Sequence, residues 1–220
     1  MACVKRGRTY SFGNTVFDWY DLIYVFSLSG IIGTVYETIL IYILHGVIEN
    51  RSGSMFTPVN YVYGLGAVIL FLALKNIRDP VHIFVCGAVI GGVTEYLLSI
   101  GQELIFGSVS WDYSNLPLNI NGRTTLVYMA VWGVMCLFAI KVLFPRLLAV
   151  VHKIPENIRK RAAIIIFIIL AVDALISSAA VIRYSERSRG LEVSNTLESV
   201  LDSRFDDAKM KQRFPNMRIR

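Results

Sequence analysis

LIYVFSLSGIIGTVYETILIYIL, residues 22–44, contains a single ionisable acid or base of the Asp/Glu/Lys/Arg type, Glu37, in 23 positions. A helix of roughly 20 apolar residues crosses roughly 30 Å of hydrocarbon. Four further blocks have the same character: 57–74, 81–101 with His82 and Glu95, 124–144 with Lys141 near its end, and 162–182 with Asp173. Soluble domains scatter their apolar residues along amphipathic periods; these come in uninterrupted runs. The fold class read from them is all-α, a polytopic transmembrane bundle of about five helices. A basic segment, 1–20, precedes the membrane domain, 21–183, and a polar tail, 184–220, follows it.

The remaining composition fits this reading. The 220 residues are 55% hydrophobic and 17% charged, with a net charge of +6. Lys5, Arg6 and Arg8 precede the first run, but that run is too long for a cleaved signal peptide and no small-residue cleavage pattern follows it. It reads as a retained anchor. The segments 1–21, 75–80 and 141–161 carry three, two and six Lys or Arg, whereas the intervening loops carry Arg51 and Arg123 alone. The positive-inside rule then places the N-terminus of this multi-pass chain on the cytoplasmic side of the cell membrane. The tail mixes nine basic residues with acids, and its Leu197, Leu201, Phe205 and Ala208 fall at helical spacing, as in an amphipathic surface helix over 194–212.

The basic excess lies where anionic lipid headgroups would meet it, and nothing resembles a nucleic-acid module. Cys3, Cys86 and Cys136 show no CxxC spacing, and the two inside helices read as packing residues. No phosphate-binding loop, nucleophile elbow or zinc-binding HExxH motif occurs. The chain therefore carries no ATPase of its own, and neither a cofactor nor a metal is expected.

Charges inside a bilayer are costly, so Glu37 and Glu95 are functional candidates by default. Each sits on a stripe of small residues, Gly30-Gly33-Thr34-Glu37 and Gly87-Gly91-Glu95, which lets backbones approach closely. By helical rise, Glu37 lies about 10 Å and Glu95 about 8–9 Å below the outer helix ends. The connector between helices 3 and 4, WDYSNLPLNINGR at 111–123, is a polar re-entrant or surface loop. Trp111 and Tyr113 suit interfacial anchoring, and Asn119 and Asn121 suit loop hydrogen bonding. Asp112 and Arg123 fit anchoring less well. The candidate substrate- or ion-binding set is Glu37, Asn50, Arg51, Glu95, Glu103, Asp112, Tyr113, Asn119 and Arg123. A faint internal repeat links Glu37 and Asn50-Arg51 with Glu95 and Asn121-Gly122-Arg123.

Glu95-Tyr96, Ser99, Glu103, the Trp111–Ser114 block, Asn121-Gly122-Arg123 and Trp132-Gly133 resemble the bacterial family of ABC-transporter type IV permeases. Ser29-Gly30, Gly33, Glu37, Asn50-Arg51, Pro58 and Tyr63-Gly64 resemble its first-helix motifs. The likeness covers about residues 20–146. Thr34 stands where that family usually has tryptophan, and Asn60-Tyr61-Val62-Tyr63-Gly64 replaces its usual Cys-Pro-x-Tyr-Gly stretch. The resemblance implies a transporter subunit; joined to the outer-side carboxylates and loops, it gives a permease moving a small polar or lipid-linked substrate through an extracytoplasmic pocket. It also implies a separate ATPase subunit as partner; membrane lipids and a second copy of the chain are the other expected partners. The alternatives are a membrane enzyme acting on a lipid at the outer leaflet, with Glu95 or Asp112 as base, and a non-catalytic assembly or sensor protein.

Overall fold

The computed structural model describes residues 10–12 and 15–220, and the side chains from Phe17 onward. Most of the basic N-terminal segment, with Cys3, lies outside the described residues. A short hairpin, β1 (Tyr10–Phe12) and β2 (Thr15–Phe17), leads into α1 (Trp19–His45). Then come α2 (Tyr61–Leu74), α3 (Pro80–Phe106), β3 (Ser108–Val109), β4 (Asn119–Ile120), β5 (Thr124–Thr125) and α4 (Leu126–Phe138). A π turn, Ala139–Leu143, joins α4 to α5 (Phe144–Val151), and α6 (Glu156–Ser188) is the longest helix. The tail holds α7 (Thr196–Arg204), α8 (Asp207–Arg213) and β6 (Arg218–Ile219). Among the described residues, four helices are long and apolar enough to cross a membrane: α1, α3, the continuous α4–α5 rod and α6; α2 is a shorter apolar helix.

Local chemistry sets the helix ends. Asp18 caps α1 in a capping box with Asp21, and Gly46 closes it at φ +69°. Asp79 caps α3 with Pro80 in its first turn, and Gly107 closes it at φ +60°. At Pro145 the missing N–H breaks the α pattern just where Phe144 N–H reaches back five residues to Ala139 O. The expected helix over 57–74 begins only at Tyr61, because Asn60 accepts from the Val62 and Tyr63 amides and forms its N-cap. α6 exceeds the expected 162–182 by more than a turn at each end.

At the N-terminal end of the bundle, α1 and α6 are locked by buried charge. Asp21, 1% exposed, pairs with Arg159 and lies 3.0 Å from His152 Nε2; Arg159 also pairs with Asp18 at 3.1 Å. Tyr24 OH donates to Arg159 O at 2.8 Å. Around this lock pack Phe17, Val25, Phe71, Leu74, Ile83, Cys136 and Phe144. With 1.5 Å of rise per residue, Glu37 stands roughly 24 Å, and Asp173 roughly 21 Å, along the bundle from the lock.

The connectors on the opposite side do not stay at the helix ends. Residues 46–60 turn back beside α1 until Asn60 N–H reaches Gly30 O at 3.2 Å. Gly30 lies fifteen residues before His45, so the segment descends about 22 Å into the bundle. Residues 107–125 likewise descend beside α3 until Thr124 meets Glu95, a drop of about 18 Å over twelve helical residues. Both connectors are thus re-entrant, the first of them unanticipated. Glycine permits the close approach: a Cβ on Gly33 would lie 2.3 Å from Tyr63 Cγ, and one on Gly91 would lie 2.5 Å from Trp132 Cβ.

Non-helical backbone at such depth must find its partners within the protein. Asp173 supplies them for residues 55–57. Its carboxylate accepts from Phe56 N–H (3.1 Å), Thr57 N–H (2.9 Å), Thr57 Oγ1 (2.5 Å) and Ser177 Oγ (2.9 Å). Ser177 Oγ accepts in turn from Met55 N–H at 2.8 Å.

The tail closes this end. It forms two short helices in place of the expected single amphipathic helix, broken at Phe205 and Asp206, where the Asp206 side chain caps α8. Phe205 and Met210 are buried against Met55, Ala180, Val181 and Tyr184, whereas Leu197 is 66% exposed. Arg183 and Arg187 pair with Asp202, Arg213 donates to Ser54 O and Thr57 O, and β6 pairs antiparallel with β3.

Asp173→Ala removes four hydrogen bonds from one carboxylate. At about 1–3 kcal/mol for each buried donor left unmade, the variant is expected to lose at least about 3 kcal/mol of stability, read as a lowered thermal transition in detergent. Asp173→Asn, which retains an acceptor, should lose less.

Candidate functional site

The two intramembrane glutamates are each held by a tyrosine from the connector side. Tyr63, in the first turn of α2, donates its hydroxyl to Glu37 Oε1 at 3.0 Å. Tyr113, from the 107–125 connector, donates to Glu95 Oε1 at 3.0 Å, and Thr124 Oγ1 donates to Glu95 Oε2 at 2.7 Å. Glu95 is 7% exposed and Glu37 is half-buried. The two carboxylates lie within electrostatic reach of each other, as do Tyr63 and Tyr113. Trp132 stands 5.9 Å, ring centre to ring centre, from Tyr63, and Tyr128 stacks on Tyr113 at 4.6 Å. The result is a chain of two carboxylate–phenol pairs roofed by aromatic rings, inside the bundle and where α2 and α4 begin.

Local structure explains why these side chains converge. Thr125 caps α4 by accepting from Tyr128 N–H, so the chain turns downward just after Thr124 has met Glu95. Asn60 does the same for α2 and sets Tyr63 on the first turn, against Gly33.

A second group of charges lies toward the helix ends. Arg123 pairs with Glu103 and donates to Ser99 Oγ at 3.0 Å; it does not clamp Glu37 or Glu95. Arg220 reaches Glu103 (3.4 Å) and Asp112 (3.1 Å). Asp112 Oδ1 accepts from Ser114 N–H (3.0 Å) and Ser114 Oγ (2.6 Å). These bonds, reinforced by Arg220, hold its carboxyl below the usual aspartate range. Asp112 therefore shapes the connector rather than facing Glu95. Asn119 does likewise, donating to Leu116 O (2.8 Å) and accepting from Gly122 N–H (2.9 Å). Trp111 Nε1 donates to Arg123 O at 2.9 Å. Interfacial anchoring does not describe Tyr113, whose hydroxyl and ring are both committed inside the bundle.

On the other connector, Asn50 donates to Arg213 O at 2.8 Å. Arg51 pairs with Glu49 at 3.0 Å, its side chain is 9% exposed, and its charge acts on Glu37. Its Nε is buried without a hydrogen-bond partner among the described residues. An unmade buried donor costs about 1–3 kcal/mol, so Arg51 stands out against its well-satisfied neighbours.

The sequence-derived set thus divides. Glu37, Glu95, Tyr113 and Arg51 gather at the inner level. Glu103, Arg123 and Asp112 form the level above, and Asn50 and Asn119 serve the connectors. Tyr63, Thr124, Tyr128 and Trp132 belong to the site and were not among the candidates, although Tyr63 and Trp132 lie in the motifs quoted above. Among the described residues no cluster of three His, Cys, Asp or Glu side chains could hold a metal ion.

A helical membrane bundle with two connectors folded back onto buried carboxylates defines a polytopic membrane protein with a polar interior site. The profile of the family described as "Putative ABC-transporter type IV" matches residues 24–178, and the chain belongs to that family. The match runs beyond residue 146 into α6 and takes in Asp173. No curated protein and no solved structure matches the chain.

Tyr113→Phe leaves Glu95 with one donor fewer while keeping the ring stacked on Tyr128. A hydrogen bond to a charged group contributes about 1.5–3 kcal/mol. The variant should melt correspondingly lower than wild type, and Thr124→Val should behave similarly; an unchanged melting temperature in both would dissociate Glu95 from the fold of the connector.

Proposed function

We propose that this membrane-transport family member is a permease that takes a small polar or lipid-linked substrate into the site around Glu37 and Glu95. The observation that carries the reading is the placement of two carboxylates at bilayer depth. Each is oriented by a tyrosine hydroxyl, and among the described residues neither is neutralised by a salt bridge. Glu103, Asp112 and Asp173 are committed to local partners and Glu95 accepts at both oxygens, whereas Glu37 Oε2 accepts no hydrogen bond among the described residues. A carboxylate so placed can bind a proton, a cation or the cationic part of a substrate.

The distribution of charge supports an extracytoplasmic position for the connector end. Lys75, Arg78, Lys141, Arg146, Lys153, Arg159, Lys160 and Arg161 gather at the other end, as the positive-inside rule requires of the cytoplasmic side. The tail places nine further basic residues at the connector end, so the support for this orientation comes from the loops between the helices alone. Energy for transport would come from a separate ATPase subunit docked at the basic end.

The test is purification of the tagged chain from native membranes. The permease reading expects a nucleotide-hydrolysing subunit in stoichiometric amount. Reconstituted with it, the complex should drive ATP-dependent flux that falls at least tenfold in Glu95→Gln and Glu37→Gln. The absence of any ATPase, or undiminished flux in both variants, would contradict the reading.

A further inference from the structure

Residues 205–220 reach both connectors from one anchored base. Phe205 and Met210 are 8% and 0% exposed and pack on Met55, Ala180, Val181 and Tyr184. Arg213 donates to Ser54 O and Thr57 O, and its own carbonyl accepts from Asn50 at 2.8 Å. The base is thereby fixed to α6 and the first connector.

Residues 214–220 leave that base as a strap and run to the second connector. Arg218 and Ile219 pair with Val109 and Ser108, and Arg220 N–H donates to Gly107 O at 2.9 Å. The Arg220 guanidinium reaches Glu103 at 3.4 Å and Asp112 at 3.1 Å. Arg189, just past α6, donates to both Gly107 O and Arg220 O at 3.4 Å.

What the strap grips is a braced turn that ends on the buried carboxylate. Asp112 Oδ1 accepts from the Ser114 amide and hydroxyl, Tyr113 N–H donates to Gly122 O at 2.7 Å, and Trp111 Nε1 donates to Arg123 O at 2.9 Å. A displacement of Asp112 therefore carries Tyr113 and Thr124 with it. Those two side chains donate to Glu95, at 3.0 and 2.7 Å. The turn is also tied to α3 by Arg123, which shares Glu103 with Arg220, so strap and turn meet on one carboxylate.

Base and strap are held very differently. The base is buried, whereas the strap rests on a two-residue ladder and on ion pairs whose Arg220 member is 41% exposed. Pro215, Asn216 and Arg218 are exposed, and Phe214, Met217 and Ile219 are only partly buried. Exposed ion pairs are weak, and segments with few buried contacts open locally while the rest stays folded. The strap also lies beyond the residues that match the family, which end at 178.

We propose that residues 214–220 are a releasable latch on the site. Latched, they hold the second connector against Glu95; released, they let the braced turn lift as one body and expose Glu95 to the connector end. The latch goes beyond the permease reading, because it governs access to the carboxylate whatever binds there.

The experiment uses the full chain in detergent, where both ends of the bundle meet water. Coupling of glycine ethyl ester to Glu95 by a water-soluble carbodiimide, read by peptide mass spectrometry, reports access to the site. Arg220→Ala should speed coupling about threefold, as the loss of weak exposed pairs predicts. Removal of residues 215–220 should speed it by roughly tenfold or more, with helix content by circular dichroism unchanged.

Ser108→Cys with Ile219→Cys supplies the reverse test. Arg220 bonds to Gly107, so the neighbouring Ser108–Ile219 pair is the closer-spaced, non-hydrogen-bonded kind that a disulfide can bridge. Oxidation should slow Glu95 coupling by about fivefold or more, since it removes local opening, and reduction should restore the wild-type rate in the same folded sample. Equal rates in the oxidised, reduced and shortened proteins overturn the latch. So does faster coupling in the shortened protein that comes with lost helix content and no effect of oxidation. Neither result bears on the ATPase partner or on flux, which separately decide the permease reading.

Discussion

A peptide group inside the hydrocarbon layer has no water to bond to, and this constraint governs the whole connector end of the molecule. Both long connectors leave helical structure at the end of the bundle and regain it only about 18–22 Å deeper. The protein accommodates that excursion by supplying partners from elsewhere in the chain. Asp173 and Ser177 satisfy residues 55–57, Asn60 and Thr125 cap the helices that follow, and Arg213 donates to the carbonyls of Ser54 and Thr57. Removing these partners would leave several orphan groups in a medium where each is expensive, so the connectors and the tail stand or fall together.

The site is a consequence of the same arrangement. Because α2 and α4 start deep in the bundle, their first turns can present Tyr63 and Tyr128 to the level of Glu37 and Glu95, with Thr124 and Tyr113 just ahead of α4. The two halves follow a common plan. α1 and α3 are both 27 residues long, and both end in a left-handed glycine. Each carries a glutamate that accepts from a tyrosine beyond the following turn. The faint echo between Glu37 with Asn50-Arg51 and Glu95 with Asn121-Gly122-Arg123 has this structural counterpart, although its partners are tyrosines rather than the Asn–Arg pairs. Charge on the upper level, Arg123 with Glu103 and Arg220 with Asp112, ties the second connector to α3 and the tail without entering the inner site.

Apolar runs such as 22–44 and 162–182 made the helices legible, because length and the absence of charge are one-dimensional properties. The two glutamates were legible for the same reason: an acid in an apolar run is conspicuous. Depth of the connectors was not. Nothing local in 46–60 marks a descent beside α1; that depends on Gly30 and Gly33 admitting Val59, Asn60 and Tyr63, a contact between distant segments. Tyr113 illustrates the limit well. By composition it suits a membrane interface, and only the position of Thr124 against Glu95 turns it inward. Asp112 erred in the opposite sense, since its chemistry suggested a site whereas its nearest donors, the Ser114 amide and hydroxyl, lie two residues away.

The central claim is that α4 begins level with Glu95, with its connector folded into the bundle. Nitroxide labels at Val93 on α3 and Val127 on α4, both exposed at the surface, report that register directly through continuous-wave dipolar broadening in vesicles. The account predicts strong broadening, because the two positions flank the Glu95–Thr124 contact. A surface connector would set α4 about 18 Å higher along α3, and an unbroadened spectrum from the doubly labelled protein would contradict the re-entrant site.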